Sequence, residues 1–174
     1  MRQDGLFSDS RTIQTNPNDV VYTPDAIAQS VVSYFKPTGF CLDPCRGTGA
    51  FYRWLPTGSD WCEIAEGRDF FAFDRKVDWI ISNPPFSQWD DWLKHSFLIA
   101  ANVVYLIPLV KTFKNAQMLK VIQAYGGIPT IAVIGSGRSC GFPFGFLVAA
   151  VHFQKDYKGT TKIGFLADLM AEAG

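Results

Sequence analysis

The chain has 174 residues, 48% of them hydrophobic, and 16 Lys and Arg balance 16 Asp and Glu. That length suits one domain with a real core, and no apolar run reaches the roughly 18 residues a membrane span requires. Zero net charge argues against a strongly basic protein that coats polyphosphate without selectivity, while leaving room for a local patch such as Lys111, Lys114, Lys120 and Arg138.

Residues 1–20 read as a loose polar segment without a signal-peptide core, and residues 21–174 as a single domain. "TPDAIAQSVVSYF" carries a helix start, with Thr23 as N-cap, Pro24 at the first helical position and Asp25 at the positive end. "GFCLDPC" reads as a short strand ending at Asp43, and "RGTGAFYRWL" as a Gly-rich turn feeding a helix. "DWCEI" gives a second strand ending in Glu63, "DFFAF" a third and "VDWIIS" a fourth. Residues 88–100 read as a helix in which Trp89 and Trp92 pack, "ANVVYLIPL" as a strand and residues 113–125 as a helix. "PTIAVIG" and "FGFLVAAVHF" are the last two strands. The link between them, "SGRSCGFP", is too short for a helical crossover, so they should pair antiparallel. The expected fold is α/β: a Rossmann-like, doubly wound, mostly parallel sheet with an antiparallel C-terminal hairpin.

Such sheets bind ligands at the carboxyl ends of their strands, near the switch in strand order. Asp43, Glu63, Asp69 and Asn83 all fall there. In "DPCRGTGAF", Gly47 and Gly49 let backbone approach a ligand, and Asp43 places a carboxylate toward the same pocket. The phosphate-binding glycine fingerprints are incomplete, and a carboxylate repels pyrophosphate, so a cationic or amine-bearing ligand fits better than a dinucleotide. Glu63, twenty residues after Asp43, has the spacing of an acid that grips ribose hydroxyls. Asp69 can accept from an adenine amine, with Phe70 packing on the ring. His95 and His152 receive no role. Cys41 and Cys45 are separated by Leu42, Asp43 and Pro44, with Cys62 and Cys140 far off, so the reading is no metal site and free thiols in a cytosolic protein.

The most specific motif is "ISNPPFSQW". An NPPF run arises by chance on the order of 10⁻⁶–10⁻⁵ per position. Asn83, Pro84, Pro85 and Phe86 resemble the catalytic corner of S-adenosylmethionine-dependent amino-methyltransferases, and most closely of the DNA adenine-N6 group. "DPCRGTGAF", with Pro44 and Cys45, resembles that family's cofactor loop. "VYTPDAIAQSVV" resembles its N-terminal cofactor segment, with Tyr22 and Thr23 at the methionine end, and the motif order resembles the gamma arrangement. "FPFGFLVAAVHF" resembles the segment that stacks a target base, through Phe144 or Phe142.

The resemblance implies S-adenosylmethionine as cofactor and an adenine amine as methyl acceptor. Hydrogen bonding both amine protons, to the Asn83 side-chain oxygen and the Pro84 carbonyl, frees the nitrogen lone pair. The two fixed proline φ angles hold the carbonyl outward. Phe86 would stack on the target ring, and Lys111 lies in a segment that could meet nucleic acid. A base in duplex DNA would first be flipped out. The sequence shows no long insert for reading a target, so sequence preference is expected to be relaxed or supplied by a protein partner, or by a second copy in a homodimer. DNA is the favoured substrate. Adenine in RNA, cytosine-N4 and the glutamine amide of a protein stay open, as does a non-catalytic subunit that keeps the fold. The expected location is the cytoplasm of a bacterial or phage-infected cell.

Overall fold

A computed structural model describes residues 21–172; the segment 1–20, read above as loose, lies outside the described residues. The chain runs α1 (Asp25–Phe35), β1 (Cys41–Asp43), β2 (Asp60–Trp61), β3 (Val77–Ser82), α2 (Trp89–Ile99) and β4 (Ala100–Pro108). It continues through α3 (Ala116–Tyr125), β5 (Gly126–Ser136), β6 (Leu147–Lys155), β7 (Lys162–Phe165) and α4 (Leu166–Glu172).

The strands form one sheet in the order β2-β1-β3-β4-β6-β5-β7. β2, β1, β3 and β4 are mutually parallel, as are β5 and β7. β6 inserts antiparallel between β4 and β5, and the expected hairpin is its pairing with β5. The chain leaves β1 toward β2 on one side and returns to β3 on the other, so the strand order reverses at β1 and β3. A crevice opens at such a reversal, beyond the carboxyl ends.

Strand β4 shows why the apolar runs are continuous. Val103, Tyr105 and Ile107 join the core under α2 and α3, while Val104 and Leu106 join the core under α1 and α4. Successive side chains point to opposite faces, and both faces are covered. Helix α1 buries Ala28, Val31 and Val32, and α2 buries Trp89, Trp92, Leu93, Ser96 and Ile99, each one stripe at helical spacing. α3 starts later than expected because Asn115 caps it, its side chain accepting from Met118 N at 2.9 Å. His152 is a core residue: it stacks on Trp79, lies 3.0 Å from Asn102 Oδ1, and burial pulls its pKa down to about 4.

Several local expectations are corrected. The cap of α1 is Pro24, not Thr23, and no side chain caps it. The segment after the glycines forms turns and a 3₁₀ helix over Tyr52–Trp54 rather than an α-helix. Gly47 and Gly49 have positive φ, Leu55 is extended and Pro56 follows it, which leaves too little helical chain. "DFFAF" is also a 3₁₀ turn, Phe70–Ala72, because the Asp69 carboxylate accepts from Phe71 N at 2.9 Å and curls the chain. The second strand stops at Trp61, and Glu63 keeps only a bridge to Arg68. β7 and α4 were not expected; β7 is an edge strand with mostly exposed residues.

Candidate active site

The carboxyl ends of β1 and β3 open onto a cavity of about 540 Å³. That lies within the range of roughly 300–1,000 Å³ typical of small-molecule sites. Its wall contains Tyr22 and Thr23 from the segment before α1, and Pro44, Cys45 and Gly47 from the loop after β1. Glu63, Asp69 and Phe70 close one side, and Asn83 and Pro85 close the other. Ten of the residues singled out in the sequence therefore meet in one place. The structure adds Arg46, Phe71, Gln88 and Trp92 to them. Gln88 and Trp92 stand four apart at the start of α2, a spacing that puts both on one helix face. Trp92 turns to Phe70, with ring centroids 4.6 Å apart, whereas Trp89 turns inward to Tyr105 and Phe153.

The loop after β1 is shaped by the carboxylate opposite it. Glu63 Oε2 accepts from Gly47 N at 2.7 Å, and its other oxygen accepts from Ala65 N at 3.2 Å. Gly47 needs its φ of +51°, and a Cβ there would press on the Tyr22 ring at 3.4 Å. A carboxylate has about four acceptor sites, so Glu63 retains lone pairs for hydroxyl donors. Arg46 pairs with Glu66 and stacks over Trp61 at 3.7 Å. With that cation matched, Glu63 and Asp69 leave the wall acidic, which favours a positively charged ligand.

Asp43 does not face the cavity as expected. It is 1% exposed and lies behind the wall, sharing a 2.6 Å hydrogen bond with Ser82 Oγ and accepting from Tyr52 N at 3.1 Å. Burial, with a smaller push from Glu63, raises its pKa to about 7. Gly49 is likewise off the wall; its carbonyl accepts from Arg53 Nε at 3.1 Å.

The corner after β3 is held from both ends. Asn83 Nδ2 donates to Val21 O at 3.1 Å and to Thr23 Oγ1 at 3.2 Å. A backbone carbonyl can only accept, so this contact fixes which end of the carboxamide is nitrogen. Asn83 Oδ1 is then left buried with no hydrogen-bond partner. Five buried side-chain N or O atoms among the described residues lack a partner, and three belong to cavity residues: Asn83 Oδ1, Arg46 Nε and Trp92 Nε1. Leaving such an atom unpaired costs about 1–3 kcal/mol, and a ligand with matching groups removes that cost. Pro84 is buried, and the cavity wall is formed by its neighbours Asn83 and Pro85.

Beyond the corner the aromatic residues divide. Phe86 is half-buried and meets the edge of Phe144, centroids 5.7 Å apart, while Lys111 Nζ donates to Phe86 O at 3.3 Å. Phe144 lies over Gly137, where a Cβ would come within 2.6 Å of its ring. Phe142 is 4% exposed and belongs to the core, stacked parallel on Phe144 at 5.5 Å, so it is no surface for a base. Only Phe144 of that pair is partly exposed, and neither lines the cavity.

No protein-family model and no curated protein matches the sequence. Solved structures do. A protein from Listeria monocytogenes, provisionally described as a class I S-adenosylmethionine-dependent methyltransferase, superposes with a TM-score of 0.60 at 14% identity, over 89% of this chain and 68% of that one. This chain has the class I methyltransferase fold. The M protein of the type I restriction enzyme EcoKI superposes with a TM-score of 0.59 at 14% identity, over 77% of this chain and 44% of its own. A Pyrococcus horikoshii protein, provisionally described as an RNA methyltransferase, gives 0.59 at 16% identity, over 82% of this chain and 91% of its own. The chain thus spans less than half of the EcoKI subunit. Among the described residues, no helix is long and apolar enough to cross a membrane.

Proposed function

We propose that the chain is an S-adenosylmethionine-dependent methyltransferase acting on the exocyclic N6 amine of adenine in nucleic acid, with DNA favoured. One observation carries this reading: Asn83 Oδ1 is a buried acceptor without a donor, at the corner that lines the same cavity as Glu63 and Asp69. An adenine amine is a donor of the kind it lacks.

The residues present fit the cofactor. Glu63 offers free lone pairs to ribose hydroxyls, Asp69 can accept from an amine, and Phe70, Phe71 and Trp92 give an aromatic wall for a purine. When bound, S-adenosylmethionine supplies a methyl group on a cationic sulfur, which the acidic wall favours. Asn83 Oδ1 accepts one proton of the target amine, and the Pro84 carbonyl accepts the other. Held in this way, the nitrogen lone pair turns from the ring toward the methyl carbon. A cofactor held by Glu63, Asp69 and the aromatic wall would supply the methyl group to that nitrogen, whose surplus proton would leave to water. Orientation of this kind can remove up to about 7–11 kcal/mol of a barrier. Phe86, backed by the edge of Phe144, provides the face on which the base rests. Target selection is relaxed or supplied by another polypeptide.

The favoured substrate rests on the Thr23–Pro24 segment together with the corner, and on likeness to a restriction-enzyme M protein. Likeness to a protein described as an RNA methyltransferase makes RNA the main competing arm. Purified chain is incubated with radiolabelled S-adenosylmethionine and, in separate reactions, duplex DNA, single-stranded DNA, RNA and a release-factor-like protein. Label should appear as N6-methyladenine in the DNA digest. Label in RNA or protein alone would replace the substrate, and no transfer to any of them would end the methyltransferase reading.

A further inference from the structure

Three polar contacts link the floor of the cavity to the corner. Asp43 Oδ1 is 2.6 Å from Ser82 Oγ, Ser82 Oγ is 3.1 Å from Cys45 Sγ, and Cys45 Sγ is 3.0 Å from the Asn83 carbonyl oxygen. Each contact needs one hydrogen. The Asn83 carbonyl can only accept, so it takes the thiol hydrogen of Cys45. The Ser82–Cys45 contact then takes the hydroxyl hydrogen of Ser82. Nothing but Asp43 itself remains to supply the third. If Asp43 is ionised, it claims the Ser82 hydrogen, and the single thiol hydrogen of Cys45 can serve only one of its two contacts, Ser82 Oγ at 3.1 Å or the Asn83 carbonyl at 3.0 Å. If Asp43 is protonated, all three contacts are hydrogen bonds pointing the same way. Tyr52 N donates to the other oxygen, Oδ2, at 3.1 Å, which makes Oδ2 the carbonyl side of the acid and leaves Oδ1 to carry the proton.

We propose that Cys45 is a positioning residue for the corner, the last link of a hydrogen-bond chain Asp43–Ser82–Cys45–Asn83 that is complete when Asp43 is protonated. The chain holds the Asn83 backbone from behind, while Val21 and Thr23 hold its side chain from in front. Burial favours the required state at both ends. It raises the Asp43 carboxyl, and it pushes the Cys45 thiol well above its usual range, so the S–H persists. The groups facing Asp43 are divided: Ser82 and the backbone N–H groups of Cys45 and Tyr52 favour its ionised form, Glu63 across the loop opposes it, and burial outweighs the donors; Cys45, Cys62 and Tyr105 from β4 share its low-dielectric surroundings. The hydrogen count stands without the methyl-transfer reading; its consequence for turnover rests on that reading.

Two measurements test it. Infrared spectra of the full chain are taken at about pH 6, where exposed Asp and Glu are ionised. They should contain the carbonyl stretch of a neutral carboxylic acid that disappears in Asp43→Asn. That band should shift in Cys45→Ala and stay in place in Cys41→Ala, which alters a thiol at the other end of β1. A wild-type spectrum without the band, or a band unmoved in Cys45→Ala, overturns the chain. In the methyl-transfer assay, Cys45→Ala should lower kcat about tenfold, the size of one ordinary hydrogen bond. The cofactor KM should stay within about twofold, and Cys45→Ser, which keeps a donor, should recover most of the loss. Wild-type turnover in Cys45→Ala, or no recovery in Cys45→Ser, overturns the positioning role. If the wild type methylates nothing, the functional proposal fails and the infrared spectra still decide the chain.

Discussion

The two halves of the sheet are built differently. On the cavity side, β1 has three residues and β2 has two, and their connections are turns and short 3₁₀ helices. On the other side, β4, β5 and β6 have nine, eleven and nine residues and pair closely along their lengths. The long strands bury apolar side chains on both faces and leave little polar backbone to place. The short ones end early and hand their carboxyl ends to side-chain hydrogen bonds: Glu63 to Gly47, Asp69 to Phe71, Ser82 to Asp43. Stability and the shaping of the cavity therefore lie in different halves of the sheet. One half supplies a scaffold through burial, and the other spends its polar groups on shaping a crevice.

Substitutions on each side should therefore separate the two properties. The largest effect is expected in the scaffold. Ile131, 1% exposed in β5, belongs neither to the corner nor to the cavity wall. Ile131→Ala should cost about 2–5 kcal/mol of stability in urea unfolding, with turnover per folded molecule unchanged. A loss of turnover without loss of stability would break the division. Next comes Asn83→Ala, the mirror image. Removing a preorganised partner of this kind costs about 10²–10³-fold in kcat, while calorimetry should find cofactor affinity nearly intact. Retained activity would remove Asn83 from its role.

Glu63→Gln should act on binding rather than rate. Hydrogen bonds to a charged group are worth about 1.5–3 kcal/mol, so cofactor affinity should fall about 10- to 100-fold by calorimetry. An unchanged affinity would mean that Glu63 only shapes the glycine loop. The last effect concerns Asp43 and is read as a slope rather than a loss. Its folded pKa is raised to about 7 from 3.8, so the folded state binds a proton that the unfolded state has released between those values. Its contribution to stability is full below about pH 4 and is lost as pH rises through about 7, with a slope of at most about 1.4 kcal/mol per pH unit. Other carboxylates tilt the curve the opposite way, so the comparison is between wild type and Asp43→Asn. The difference between their urea midpoints should shrink toward high pH; a constant difference would show that Asp43 is ionised throughout.

The same division decided what could be read from the sequence. β3, β4 and β6 announced themselves because strands covered on both faces need unbroken apolar runs. The corner was legible because consecutive prolines after an asparagine have few other uses. The cavity side was harder. Gly47, Gly49 and Pro56 predict a turn but not that the following helix shrinks to Tyr52–Trp54. The Asp69 cap that turned an expected strand into a 3₁₀ helix is one hydrogen bond, invisible to hydrophobic periodicity. β7 escaped because an exposed edge strand carries little apolar signal. Asp43 was placed correctly along the chain and wrongly in depth, since a strand-end carboxylate can turn inward if serine and backbone donors are waiting there. The unpaired Asn83 oxygen could not be foreseen, because it depends on acceptors from residues 21 and 23.

That last contact has a consequence for the earliest part of the described chain. The two ends of an asparagine amide have nearly the same shape, and what tells them apart here is Val21 O and Thr23 Oγ1, sixty or more positions away in sequence. Without those anchors the group can rotate by half a turn and present NH₂ where, on the proposed reading, the target amine also presents hydrogens. A protein clipped just beyond Thr23 would keep its sheet and its prolines, lose that part of the cavity wall, and, on the proposed reading, meet the target amine with the wrong polarity.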